Sequence, residues 1–131
     1  MQIGMAVKAG LAPVLCLVLA ACGGDGGGTP GPSPLPTNPN VITISSAGVV
    51  TPKELIVAPG ARVLFVNSDG RRHEMTSDPH PEHDECPAIN VGLLMPGQSR
   101  ETENLIVVRA CGFHDHENPD NPNLKGRIIV R

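Results

Sequence analysis

Pro52-Lys53-Glu54-Leu55-Ile56-Val57-Ala58-Pro59-Gly60-Ala61-Arg62-Val63-Leu64-Phe65-Val66-Asn67 carries the reading of the fold. Glu54-Leu55-Ile56-Val57 is a short run rich in branched apolar residues, bounded by Thr51-Pro52 and by Pro59-Gly60. A second run rises from that turn at Arg62 and stops at Ser68-Asp69-Gly70. Short apolar runs punctuated by Pro and Gly are the pattern of strands. Working outward, Val41-Ile42-Thr43-Ile44-Ser45 precedes, residues 98–108 rise from the turn Pro96-Gly97, and Gly126-Arg127-Ile128-Ile129-Val130-Arg131 ends the chain. Nothing in residues 41–131 sustains a 3.6-residue apolar period. The expectation is all-β, a small Greek-key β-sandwich, with at most a helical turn between Ser77 and Asn90.

Composition supports this. The chain has 131 residues, no Trp, no Tyr and two Phe, so its core must come from Val, Ile and Leu, which suit strands. Ten basic against thirteen acidic residues give a formal charge of −3. No basic stripe exists to displace phosphate counterions, which excludes a nucleic-acid partner. No serine with an evident base and no phosphate loop is present, and the chain is too short for the several domains of a multicopper enzyme, so no catalytic residues are expected.

The first 40 residues read as export and tether. Residues 1–21 carry one charge, Lys8, then an apolar run ending in small residues, as a signal peptide does. Leu19-Ala20-Ala21-Cys22 resembles the lipobox of bacterial lipoproteins, and the resemblance implies lipidation at Cys22 and a membrane as partner. Gly23 after the cysteine implies, by the same resemblance, the outer membrane. Residues 22–40 hold the lipidated cysteine and a Gly/Pro-rich stretch with little to bury, a linker in front of a domain over residues 41–131.

With Cys16 in the signal and Cys22 lipidated, the domain keeps Cys86 and Cys111. Two thiols in an oxidising compartment either pair or bind metal. Pairing would close a loop of about 25 residues, for which chain entropy gives about 3 kcal/mol; the competing reading makes Cys111 a metal thiolate.

All five histidines lie between His73 and His116. Imidazole, thiolate and thioether suit copper and other borderline-soft metals. A histidine after one strand, His73, and a loop Cys111-Gly112-Phe113-His114-Asp115-His116 before the last strand can meet at one end of a sandwich. At these residues the chain resembles the cupredoxins, plastocyanin among them: residues 52–67 followed by His73 match the N-terminal half, and Cys111-x-x-His114 followed by residues 124–130 match the ligand loop and final strand. The resemblance implies a mononuclear copper site with His73 and His114 as imidazole ligands and Cys111 as thiolate; azurin-like spacing would choose His116 instead.

Two departures stand out. Leu124 occupies the place of the axial methionine, and the loop between His114 and Leu124 is longer, with Pro119 and Pro122. Cys86 lies in Asp78-Pro79-His80-Pro81-Glu82-His83-Asp84-Glu85-Cys86-Pro87, which, with Phe113-His114-Asp115-His116, is similar to a group of exported cupredoxin-like proteins carrying DPHP and HDH motifs. If Cys86 and Cys111 are bonded, any site is imidazole-based: His73, His114 and His116, with His80 or His83 possible. Three functions follow: an electron carrier with a periplasmic redox partner, a copper-handling protein with a delivery partner, or a metal-free structural or interaction module.

Overall fold

The computed structural model describes residues 38–131; the signal peptide, Cys22 and most of the linker lie outside the described residues. Nine strands form two sheets, with no α-helix among the described residues. The first sheet holds β1 (Val41–Ile44), β2 (Val50–Thr51), β4 (Leu64–Asn67) and β7 (Ser99–Glu101), in the order β2-β1-β4-β7. The second holds β3 (Glu54–Val57), β5 (His73–Ser77), β6 (Gly92–Leu94), β8 (Ala110–Asp115) and β9 (Lys125–Val130), in the order β3-β9-β8-β5-β6. Strands β1 and β4, and β3 and β9, pair in parallel; the other pairs are antiparallel.

Alternation builds the core. In β1 and β4 every second residue is buried, which sends Ile42, Ile44 and Phe65 inward. They meet Met75, Phe113 and Ile128 from the facing sheet, all fully buried. The rings of Phe65 and Phe113 pack edge to face at 5.3 Å across the two layers. Each such side chain contributes about 1.5–3 kcal/mol by leaving water, so the runs read as strands supply Ile42, Ile44, Phe65 and Ile128, while Met75 and Phe113 come from β5 and β8. The domain engages slightly before Val41: Asn38 and Asn40 both donate from Nδ2 to the carbonyl of Arg62.

Three local outcomes differ from the strand pattern read from sequence. The stretch expected to run as a strand over residues 98–108 is a strand only at β7. Residues beyond it cross to the other sheet, making a single bridge between Leu105 and Ala61 and leaving Ile106, Val107 and Val108 exposed. The long segment over residues 68–97 contains β5 and β6 and one 3-10 turn, Pro87–Ile89, within the span where a helical turn was expected. Most consequentially, the expected ligand loop from Cys111 is a strand: β8 pairs with β9 from Ala110 to His114 and with β5 from Phe113 to Asp115.

Candidate metal centre

Strand geometry decides which groups can meet. Along β8, Cys111, Phe113 and Asp115 project into the core, while Gly112 and His114 project from the outer face. Cys111 is buried in the apolar core and bonded to Cys86, with the two Cα atoms 5.8 Å apart. Strand β5 ends at Ser77, which pairs with Phe113, so it stops short of Cys111 and Cys86 takes the place beside it. The disulfide answers the choice left open by the cysteine count. As a copper thiolate, Cys111 is corrected: its sulfur is committed to Cys86 and it lies on the face opposite His114.

His73 also faces inward, in phase with Met75, and is fully buried. Its Nε2 lies 2.9 Å from Asp69 Oδ2 and its Nδ1 lies 2.9 Å from Asp115 Oδ2. This contact with His73 holds the Asp69 carboxyl below its ordinary value of 3.8, with Arg71 adding to the effect against the cost of burial. Asp115 Oδ1 in turn accepts the Glu74 and Glu117 backbone N–H groups at 2.8 and 3.3 Å. His73 is thus a buried pin between two carboxylates and is not brought to the other histidines. Leu124, at the axial position, is buried in the core.

The outer face is where the remaining four rings gather. The segment after β5 folds back over β8, with the Asp78–Pro79 and His80–Pro81 bonds cis. It brings ring nitrogens of His80, His83 and His114 within 4.8 Å of one another. His116 joins them, its ring centroid 5.0 Å from that of His80 and 4.9 Å from that of His83. Two of the sequence candidates, His114 and His116, are therefore together, and they are completed by the loop pair His80 and His83.

Two rings have one nitrogen already committed. His114 Nδ1–H donates to Asp78 Oδ1 at 2.7 Å, and His83 Nδ1–H donates to the Ser77 carbonyl at 2.9 Å. Each Nε2 is left with a lone pair. His83 Nε2 accepts at 2.8 Å from His116 Nδ1. Fixing one ring nitrogen on a carboxylate or carbonyl so that the other can ligate is the usual arrangement around metal-bound histidine. His83 sits at φ 55°, a left-handed conformation that costs an L-residue about 1–2 kcal/mol. It is held there from three sides: its N–H donates to the Pro79 carbonyl at 2.8 Å, and its own carbonyl accepts from Ser77 Oγ at 2.7 Å and Asn90 Nδ2 at 3.0 Å. Strained residues that the surroundings over-determine cluster at functional sites.

Exposure is graded, with His114 buried, His83 half-buried and His80 on the solvent side. Partial burial of His80, then the neighbouring His116, His114 and His83 rings, push its pKa below the ordinary 6.5. Neutral imidazoles are what a cation requires. The residues do not fit a type 1 copper centre, which needs a thiolate and two imidazoles at one point: Cys111 is bonded to Cys86, and both ring nitrogens of His73 are held by Asp69 and Asp115. An imidazole-only set fits Cu(II) and other borderline divalent ions.

The sequence reading gave His80 and His83 only as possible additions to His73, His114 and His116; the structure brings both to His114 and leaves His73 out. The DPHP and HDH motifs held the available signal: His114 and His116 are two apart, on one face of an extended chain.

No protein-family model and no curated protein matches this chain. Solved structures do. A purple cupredoxin from Nitrosopumilus maritimus is 19% identical over 70% of this chain and 99% of its own, with a TM-score of 0.57. An oxidized plastocyanin from Dryopteris crassirhizoma is 17% identical over 70% and 99%, with a TM-score of 0.54. An amicyanin from Paracoccus versutus is 15% identical over 75% and 86%, with a TM-score of 0.58. The all-β sandwich over residues 38–131 is, by architecture, a cupredoxin fold.

Proposed function

We propose that this domain binds one copper ion, as Cu(II), through the imidazoles of His80, His83 and His114 with His116 beside them, and that it handles copper in the cell envelope rather than catalysing a reaction. The observation that carries the reading is the pair of committed Nδ1 atoms, His83 on Ser77 and His114 on Asp78, which leaves each Nε2 as the electron-pair donor; a metal at His83 Nε2 would replace the proton that His116 Nδ1 now shares with it. Copper is the metal the cupredoxin fold implies, and an imidazole set suits its divalent state. Without a thiolate the centre lacks the ligand that makes blue-copper electron transfer fast, so storage or delivery to a partner is favoured over electron carriage. The disulfide suits an oxidising compartment. No helix among the described residues is long and apolar enough to cross a membrane; the reading places the attachment on a lipid at Cys22, for the lipobox-like Leu19-Ala20-Ala21-Cys22.

Isothermal titration of the purified exported protein with Cu(II) tests this. One ion per chain at micromolar affinity or tighter is expected, with binding lost in His83→Ala and His114→Ala. Binding that survives both substitutions, or no binding at all, refutes the assignment.

A further inference from the structure

We infer that Asp78 is the positioning residue of this centre: it selects the tautomer of His114, and it can do so because residue 112 is glycine. The consequence for copper rests on the proposed metal reading; the positioning itself does not. His114 Nδ1 lies 2.7 Å from Asp78 Oδ1. On its other side, Thr76 Oγ1 is 3.5 Å from Nε2, too long to compete for the ring proton. The proton is therefore drawn to Nδ1, and Nε2 keeps its lone pair, in a ring that lies beside His80 and His83.

What lets the carboxylate approach is the missing side chain two residues earlier. Gly112 projects from the same face of β8 as His114, and a Cβ there would meet Oδ2 and Cγ of Asp78. The carboxylate occupies the volume that any other residue would fill. Its backbone is tied to the same point: Asp78 N–H donates to the Gly112 carbonyl at 3.1 Å, and the Asp78 carbonyl accepts from Glu85 N at 3.0 Å. Asp78 is thus docked on β8 by its main chain while its side chain reaches His114. The loop that delivers His80 and His83 begins at the residue that orients His114, which couples the two halves of the site. A carboxylate behind a ligating imidazole also strengthens the ring as an electron-pair donor, and losing such a partner costs ten- to a hundredfold in metal affinity.

Nitrogen-15 NMR of the metal-free protein reads the tautomer directly. The wild type should show His114 protonated at Nδ1 only. Asp78→Ala should populate the Nε2–H form, while Asp78→Asn, whose amide oxygen can still accept, should keep Nδ1–H and serves if the alanine variant loosens the loop. Titration with Cu(II) should then show affinity about ten- to a hundredfold lower in Asp78→Ala. Gly112→Ala should reproduce that loss and add nothing in the Asp78→Ala background. An unchanged tautomer in Asp78→Ala, or a Gly112→Ala loss that adds in full to that of Asp78→Ala, overturns the inference. A tautomer change in a protein that binds no copper supports the positioning role and refutes the copper reading instead.

Discussion

Cys111 and His114 leave the same strand on opposite faces. Three residues apart in an extended chain, they are out of phase, so the cysteine enters the core and bonds Cys86 while the histidine faces Asp78. A Cys-x-x-His spacing gathers two ligands at one metal only where the chain bends between them. Here β8 continues straight through, and the ring nitrogens that lie close enough to share a metal are on the outer face.

The disulfide should therefore matter to stability and not to colour. Replacing both Cys86 and Cys111 by serine should cost about 3 kcal/mol, as chain entropy gives for a 25-residue separation. Urea denaturation measures the loss. Cu(II) spectra should show no intense thiolate charge-transfer band in either form.

His73→Ala should separate fold from site. It leaves the fully buried Asp115 without the imidazole it contacts, a loss on the order of 3 kcal/mol in a denaturation experiment. Copper stoichiometry, measured where the variant remains folded, should stay at one ion per chain. Loss of copper with unchanged stability would return His73 to the ligand set.

Acidification should weaken the metal-free protein in a defined window. His80 is depressed below 6.5 in the folded state, so the unfolded chain binds its proton first as pH falls. Stability contributed by the neutral ring is present above that pH and is lost as pH falls from it toward the lowered value. NMR titration should place the His80 midpoint below 6.5, and the slope of stability with pH should flatten in His80→Ala.

Asn90 should prove a support of the site despite lying outside it. Its Oδ1 accepts the Ser77 N–H at 2.7 Å and its Nδ2 donates to the His83 carbonyl at 3.0 Å, tying the end of β5 to the strained histidine. Asn90→Ala should destabilise by about 1–3 kcal/mol, since the backbone donor loses its acceptor. Hydrogen exchange of residues 78–85 should accelerate in the same variant.

Much of the sandwich was legible because its strands are dense in Val, Ile and Leu. Glu54–Val57 was read to the residue, and Ile42, Ile44 and Phe65 are inside as alternation requires. Strand β8 was not legible. Cys-Gly-Phe-His-Asp-His has one strong strand former, and its pairing comes from neighbours distant in sequence, Ser77 and Gly126 among them. Once β8 is taken for a loop, the phase of its side chains is lost, and with it the means to tell Asp115, which faces His73, from His114, which faces Asp78. The loop carrying His80 and His83 could be offered from sequence only as a possible ligand source, because the close approach of Asp78 to Gly112 appears only in the structure.

X-ray absorption at the copper edge of the Cu(II)-loaded protein reads the ligand set most directly. An inner shell of imidazole nitrogens with no sulfur, retained when both Cys86 and Cys111 are replaced by serine, is the predicted result. A short copper–sulfur shell in the wild type would contradict it.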